Sequence, residues 1–156
     1  METVKNSKYI IDLAPVVVKV HVFSVNGKWL AVGKTDFDRT VGDGKERVTE
    51  GSADKVTMKD GVFESTIETA EFARPNWKML VKVQNLSLND WGVLDAEKLA
   101  NNELKYFLKK WSIGDLAFEK DREGEAVLGG ECLREIVTKV EPLIISGFLQ
   151  EFRRSI

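Results

Sequence analysis

The sequence predicts an α+β fold, with a small sheet of antiparallel β-hairpins in residues 1–72 and a helical part in residues 73–156. Two runs of alternating β-branched residues are followed by short turn signals in the first half, and apolar residues recur at helical spacing in the second. Apolar residues make up 43% of the chain and charged residues 31%, as in ordinary globular domains. At 156 residues, the two parts are expected to form one folded unit.

The first hairpin is predicted from residues 16–23, which follow Pro15 and are dense in valine. Branching at Cβ suits a pleated strand and costs a helix side-chain freedom. Alternation gives this strand a partly wet face with Lys19 and His21. Its apolar face is formed by Val16, Val18, Val20 and Val22. Asn26-Gly27 then favours a two-residue turn, which makes residues 28–33 the returning strand.

A second hairpin is predicted around Asp60-Gly61, between residues 55–58 and residues 62–69. The alternation predicts a dry face of Phe63, Ser65 and Ile67 and a solvated face of Glu64, Thr66 and Glu68. Residues 34–54, which join the hairpins, are polar and contain three glycines. A segment of this length without periodicity predicts a flexible connection.

The second half is predicted to be mainly helical. Residues 77–85 fit either a helix, with Asn76 as its cap, or a strand. Residues 95–111 predict a helix, with an acidic start and lysines near its end. A loop with a turn at residues 121–124 precedes another predicted helix, residues 131–152, which Pro142 breaks or kinks because proline lacks a backbone donor.

Neither His21 nor Cys132, the only histidine and the only cysteine, builds a recognisable catalytic motif. A helix start can activate the thiol of Cys132, but the one histidine lies far off in sequence, so both are interpreted as structural residues. A single cysteine excludes an intramolecular disulfide and a multi-thiolate zinc site. The acidic 34–54 segment does not fit the calcium-loop pattern, because Val41 stands where the tight-turn glycine belongs and Arg47 where the bidentate glutamate belongs. No glycine cluster fits a phosphate loop. The chain is therefore predicted to be non-enzymatic, without metal or cofactor.

Proteins are the expected partners. Neither half of the chain has the basic excess that neutralises phosphates, which argues against nucleic acid. The sequence has no run of about 18 apolar residues, so no membrane span is predicted. Residues 1–12 are too polar for a signal peptide, so a cytoplasmic location is expected.

Two groups of residues are predicted to contact such a partner. Of four tryptophans, Trp77 and Trp111 are expected inside, and Trp29 and Trp91 at an interface, where tryptophan is enriched. The last helix is amphipathic, so it either packs on its own domain or docks in a groove of a partner or of a second copy; docking is the prediction made here. Its predicted contacts are Phe148, Leu149, Phe152 and Ile156.

The segments EFARPNW (residues 71–77) and LKKWSIGD (residues 108–115), an acidic turn at residues 119–124 and the closing helix resemble tail assembly proteins of tailed bacteriophages. The resemblance spans residues 71–156. Two features depart from it: the first 70 residues are strand-rich, and Ala126-Val127-Leu128 replaces the usual leucine-proline element. The resemblance implies a chaperone-like protein in the host cytoplasm that escorts a tail-tube or tape-measure protein. A structural subunit of the virion and a small ligand-binding domain are the alternatives.

Overall fold

The computed structural model describes residues 3–25, 27–33, 37, 53–58 and 61–156. In these ranges the strands are β1 (Val16–Val25), β2 (Lys28–Val32), β3 (Ala53–Met58), β4 (Gly61–Phe72), β5 (Leu108–Trp111), β6 (Phe118–Lys120) and β7 (Ala126–Leu128). The helices are α1 (Trp77–Leu86), α2 (Ala96–Phe107), α3 (Gly130–Lys139) and α4 (Pro142–Arg154). The predicted α+β class, with strands first and helices after, is confirmed.

The main sheet is antiparallel, in the order β2-β1-β4-β3, and β5 pairs with the end of β4 beyond β3. Both predicted hairpins are present, since Val25 pairs with Lys28 and Met58 pairs with Gly61. Gly27 has φ +79°, a conformation that glycine adopts without strain. The other turn residues, Asn26 and Asp60, lie outside the described residues.

The two faces of the sheet follow from the register between β1 and β4. The alternate valines of β1 are buried, as predicted: Val16, Val18, Val20 and Val22. Val20 pairs with Glu68, and paired residues share a face, so Glu68 and Thr66 lie on the valine side. Both side chains are half-buried there, whereas the sequence predicted a solvated face for them; alternation within one strand does not reveal its register with the next. Ser65 is buried on the opposite face, next to Phe23.

The opposite face carries a small aromatic cluster. The imidazole of His21 stacks on Phe37, with ring centroids 4.0 Å apart, and Phe23 meets Phe37 edge to face at 5.7 Å. Both phenylalanines are buried. Phe37 belongs to the predicted flexible connection, the rest of which, up to Ala53, lies outside the described residues. His21 therefore packs against an aromatic ring on this face.

Helix boundaries follow local capping signals. The ambiguous residues 77–85 lie in helix α1, whose cap Asn76 accepts a hydrogen bond from the Met79 amide (2.9 Å). The helix predicted to run to Trp111 ends at Phe107, because the chain then turns into β5 and pairs with β4. The helix predicted across Pro142 is broken into α3 and α4, with proline at the first position of α4.

The predicted loop before α3 contains a short hairpin. Strands β6 and β7 pair, with Phe118 opposite Leu128. The predicted turn at residues 121–124 joins them, where Gly124 has φ +83° and its amide donates to the Asp121 carbonyl at 3.1 Å. Three-residue strands are too short to show the alternation that predicts a strand.

The last helix completes the core. Helix α4 contacts β1 and β2 and lies over the valine face. Its residues Phe148, Leu149 and Phe152 are buried in this packing. Phe152 stacks on Phe72 at 4.4 Å between ring centroids, and Phe148 contacts Trp111 at 5.9 Å. The prediction that this apolar face awaits a partner is wrong, because the chain's own sheet covers it.

Gly147 sets how closely α4 approaches the sheet. A Cβ added at Gly147 would collide with the backbone carbonyl of Ala31 in β2. The obstacle is the Ala31 residue itself, mainly its backbone, so no flexible side chain is there to move away. Only glycine therefore allows this helix–strand distance.

Substitution Gly147→Ala is expected to lower the free energy of unfolding by about 1–3 kcal/mol, since α4 must shift away from β2. Gly130→Ala is the matched control, because an added Cβ there meets nothing within 4 Å. The control is expected to change stability by less than about 0.5 kcal/mol. Urea unfolding followed by circular dichroism measures both, and equal stabilities for the two variants would contradict the close packing.

Candidate functional site

Exposed apolar side chains are concentrated at residues 86–94, which comprise the last residue of α1 and the connection to α2 and are hereafter called the aromatic loop. Trp91 is 90% exposed and Val93 is 59% exposed. Three leucines of the loop are also exposed: Leu86, Leu88 and Leu94. Clustered exposure of this kind marks interaction sites in folded proteins, whereas single exposed apolar residues are common everywhere.

The aromatic loop is held in one shape by its own hydrogen bonds. The Asn89 side chain accepts from the amides of Trp91 (2.9 Å) and Val93 (3.0 Å). The Asn89 amide donates to the Val93 carbonyl at 2.8 Å, and Gly92 supplies the positive φ of +74° that the turn requires. Leu88 and Leu94 form an isolated antiparallel β-bridge at the base of the loop. The indole is therefore presented by an ordered turn.

Both ends of the loop are fixed to the helices. Ser87 is buried; its hydroxyl donates to the Val83 carbonyl (2.6 Å) and accepts from the Asn102 amide group (3.1 Å). The Asp95 amide donates to the Ser87 carbonyl at 2.8 Å. The Asp95 carboxylate then caps α2 by accepting from the Lys98 amide at 3.1 Å. A surface fixed in this way loses little conformational entropy on binding.

The residues predicted to bind a partner separate into two groups. Trp91, Trp29 and Ile156 are exposed, but they lie on three different parts of the fold. Phe148, Leu149 and Phe152 are buried in the core, which makes them inaccessible in the folded chain.

The two tryptophans expected inside differ from each other. Trp111 is buried, as predicted, whereas Trp77 is 79% exposed, so its prediction is wrong. Trp77 occupies the first position of α1, a helix in which only Val83 is buried. The remaining apolar residues of the aromatic loop were not predicted, although the Asn89 and Gly92 turn signals between them point to it.

A second polar arrangement joins the β6–β7 turn to α1. The Lys82 ammonium bonds Asp121 at 2.9 Å and Glu123 at 3.0 Å, and it lies 5.1 Å from the centre of the Tyr106 ring. The hydrogen bond to Asp121 raises the pKa of Lys82. The same contact, helped by the Glu125 amide, lowers the pKa of Asp121. This charged turn is thus tied to a helix and supports the fold.

Lys109 is the one lysine whose pKa burial clearly lowers in the described part of the chain. Its ammonium donates to the Ala126 carbonyl at 2.9 Å and lies 5.6 Å from the Phe118 ring centre. It borders a cleft of about 180 Å³ with Arg74 and Glu125. That volume is below the range of about 300–1,000 Å³ typical of small-molecule sites.

His21 and Cys132 lie on different sides of the sheet. His21 stacks on Phe37, whereas Cys132 packs against the main core and borders a cleft of about 200 Å³. A thiol–imidazole pair is therefore not assembled from them. Within the described ranges, no three side chains among His, Cys, Asp and Glu group closely enough to hold a metal ion. The same part of the chain has no helix with the length and apolar character that crossing a bilayer requires.

No protein-family model matches the chain, and comparisons with curated proteins and with solved structures find no significant similarity.

Acid is expected to release Asp121 from Lys82. Because the pKa of Asp121 is lowered in the fold, the stabilising contact is complete above the usual carboxyl range near pH 4 and is lost as the pH falls through the lowered value. Lys82→Met should return the Asp121 midpoint toward its usual value, whereas Lys78→Met, an exposed lysine of the same helix, should not. NMR titration of the Asp121 carboxyl measures this; an ordinary midpoint in the unsubstituted protein would contradict the ion pair.

Proposed function

We propose that this protein is a non-enzymatic binding protein that inserts its aromatic loop into an apolar pocket of another polypeptide. The observation that supports this most directly is the 90% exposure of Trp91 on a turn fixed at both ends. An exposed indole keeps its apolar surface in water, which is unfavourable and is not offset by burial in its own fold. Tryptophan is also prominent among the residues that dominate binding energy.

The shape and charge of the loop define the chemistry of the partner. A convex loop with an indole at its tip fits a concave pocket lined by aliphatic side chains. Asp90, Asp95 and Glu97 outnumber the one lysine at this end of the molecule, Lys98, whose ammonium donates to the Leu88 carbonyl of the loop at 3.4 Å. A basic rim on the partner would complement this acidic excess and would favour the correct orientation.

The resemblance to phage tail assembly proteins supplies the first partners to try, a tail-tube or a tape-measure fragment. The binding surface differs from the one expected from the sequence. The apolar face of α4 is buried, so in this proposal the aromatic loop takes over the contact with the partner.

Trp91→Ala is expected to weaken partner binding about 30-fold, equivalent to about 2 kcal/mol for a hot-spot tryptophan. A photo-reactive amino acid that replaces Val93 in the producing cells cross-links the partner and so identifies it. Calorimetry with the purified pair then measures the affinity. Trp77→Ala is the matched control, because it removes an indole of similar exposure from α1; its expected change is less than about 3-fold, as for most interface-neutral sites. Equal binding by folded Trp91→Ala protein would overturn the proposal.

A further inference from the structure

The cleft of about 180 Å³ beside Lys109 brings two basic side chains together outside the aromatic loop. Arg74 follows the end of β4, and Lys109 belongs to β5. The Ala73 amide donates to the Phe107 carbonyl at 2.7 Å, which joins the two segments just ahead of these residues. Both basic side chains line the same cleft, and none of the lining residues belongs to the aromatic loop.

Lys109 is placed there by an irregularity of the sheet. Leu108 pairs with Phe72, and Lys110 pairs with Glu71. Adjacent residues of β4 thus face residues of β5 that are two apart, which leaves Lys109 as the extra residue of a β-bulge. Bulges re-aim side chains and are frequent beside functional sites. The neighbouring Lys110 is exposed, whereas Lys109 is half-buried in the cleft.

The guanidinium of Arg74 is half-buried and has donors to spare. Its Nε donates to the Ala14 carbonyl at 3.3 Å, which fixes the group in place. Among the described residues, Arg74 pairs with no carboxylate, and its two Nη groups have no hydrogen-bond partner. A guanidinium presents its donors as a planar fork that matches the two oxygens of a carboxylate. Arg74 is therefore positioned to receive one.

The charges that line the cleft favour a ligand with a single negative charge. The Lys109 ammonium uses one of its donors for the Ala126 carbonyl and retains others. Burial lowers the pKa of Lys109, and the negative charge of Glu125 offsets this only in part. Glu125 is exposed, and it forms no ion pair with either described cation of the cleft. Two cations thus stand against one carboxylate.

We infer that the cleft binds a small organic monocarboxylate, whose charged group contacts Arg74 and Lys109 while its short apolar chain lies against the uncharged walls. These walls are formed by Ala73, Pro75, Met79, Tyr106 and Phe107. A volume of about 180 Å³ is below that of sites for larger ligands, which limits the chain to a few carbon atoms. Phosphate would leave the apolar walls unused, and its second negative charge would meet Glu125. The inference is independent of the proposed function.

NMR titration of the unsubstituted chain with butyrate, acetate and inorganic phosphate in separate experiments tests the inference. Butyrate should shift the backbone amide signals of Arg74 and Lys109 in a saturable way. Acetate should bind more weakly, because its chain buries less apolar surface. The inference would be overturned by the absence of a saturable butyrate shift at these residues, or by acetate or phosphate binding at least as tightly as butyrate.

Substitution of the two basic residues tests their roles. Arg74→Gln and Lys109→Gln should each weaken butyrate binding about 10-fold or more, as for loss of a hydrogen bond to a charged group. Lys110→Gln is the matched control, because it changes the exposed neighbour in β5; its expected effect is less than about 3-fold. Folded Arg74→Gln and Lys109→Gln proteins that bind butyrate with unchanged affinity would contradict the assignment. The ligand comparison on the unsubstituted chain decides the matter even where a substitution prevents folding.

Discussion

The close approach of Gly147 to the Ala31 carbonyl sets how α4 packs on the sheet, and the core on the valine face depends on that packing. Because no Cβ intervenes, α4 lies close against β2, and its aromatic residues reach the valine face of β1. Phe148 and Phe152 then fill the space between sheet and helices and contact Trp111 and Phe72. Burial of these large rings is a major source of stability, at roughly 25 cal/mol for each Å² of apolar surface removed from water.

The position of α4 also orients the surface proposed for binding. Arg153 of α4 hydrogen-bonds the carboxylate of Glu103 in α2 through its Nε at 3.0–3.1 Å, and Glu103 is buried. This pairing raises the pKa of Arg153, and it compensates a carboxylate that would be costly to bury alone. Helix α2 in turn holds Ser87 and Asp95 at the base of the aromatic loop. One connected set of contacts thus runs from the core to Trp91.

The parts of the fold that were predictable from sequence are those with local causes. Alternating valines, the glycine turns and the Asn76 cap each act within a few residues, and all three are present in the structure. Strand β5 and the β6–β7 hairpin were missed, because their pairing partners determine them and the strands are short. The register that places Glu68 opposite Val20 is likewise a property of two strands together.

The candidate site was only partly predictable for a related reason. An amphipathic stripe shows that a helix face needs cover, but it does not say whether the chain's own sheet or another molecule supplies it. For α4 the sheet supplies it. Composition gave no way to separate the buried Trp111 from the exposed Trp77 and Trp91, since tryptophan is common in both settings. The turn residues Asn89 and Gly92 were the available local signal for the loop.

Hydroxyl-radical footprinting read by mass spectrometry measures the central claim directly, namely that the fold buries the last helix and leaves the aromatic loop open. The side chain of Trp91, in protein diluted enough to be monomeric, should be oxidised rapidly, while Phe148 and Phe152 stay protected until the chain is unfolded. Oxidation of the two phenylalanines at rates comparable to that of Trp91 in the folded protein would contradict it.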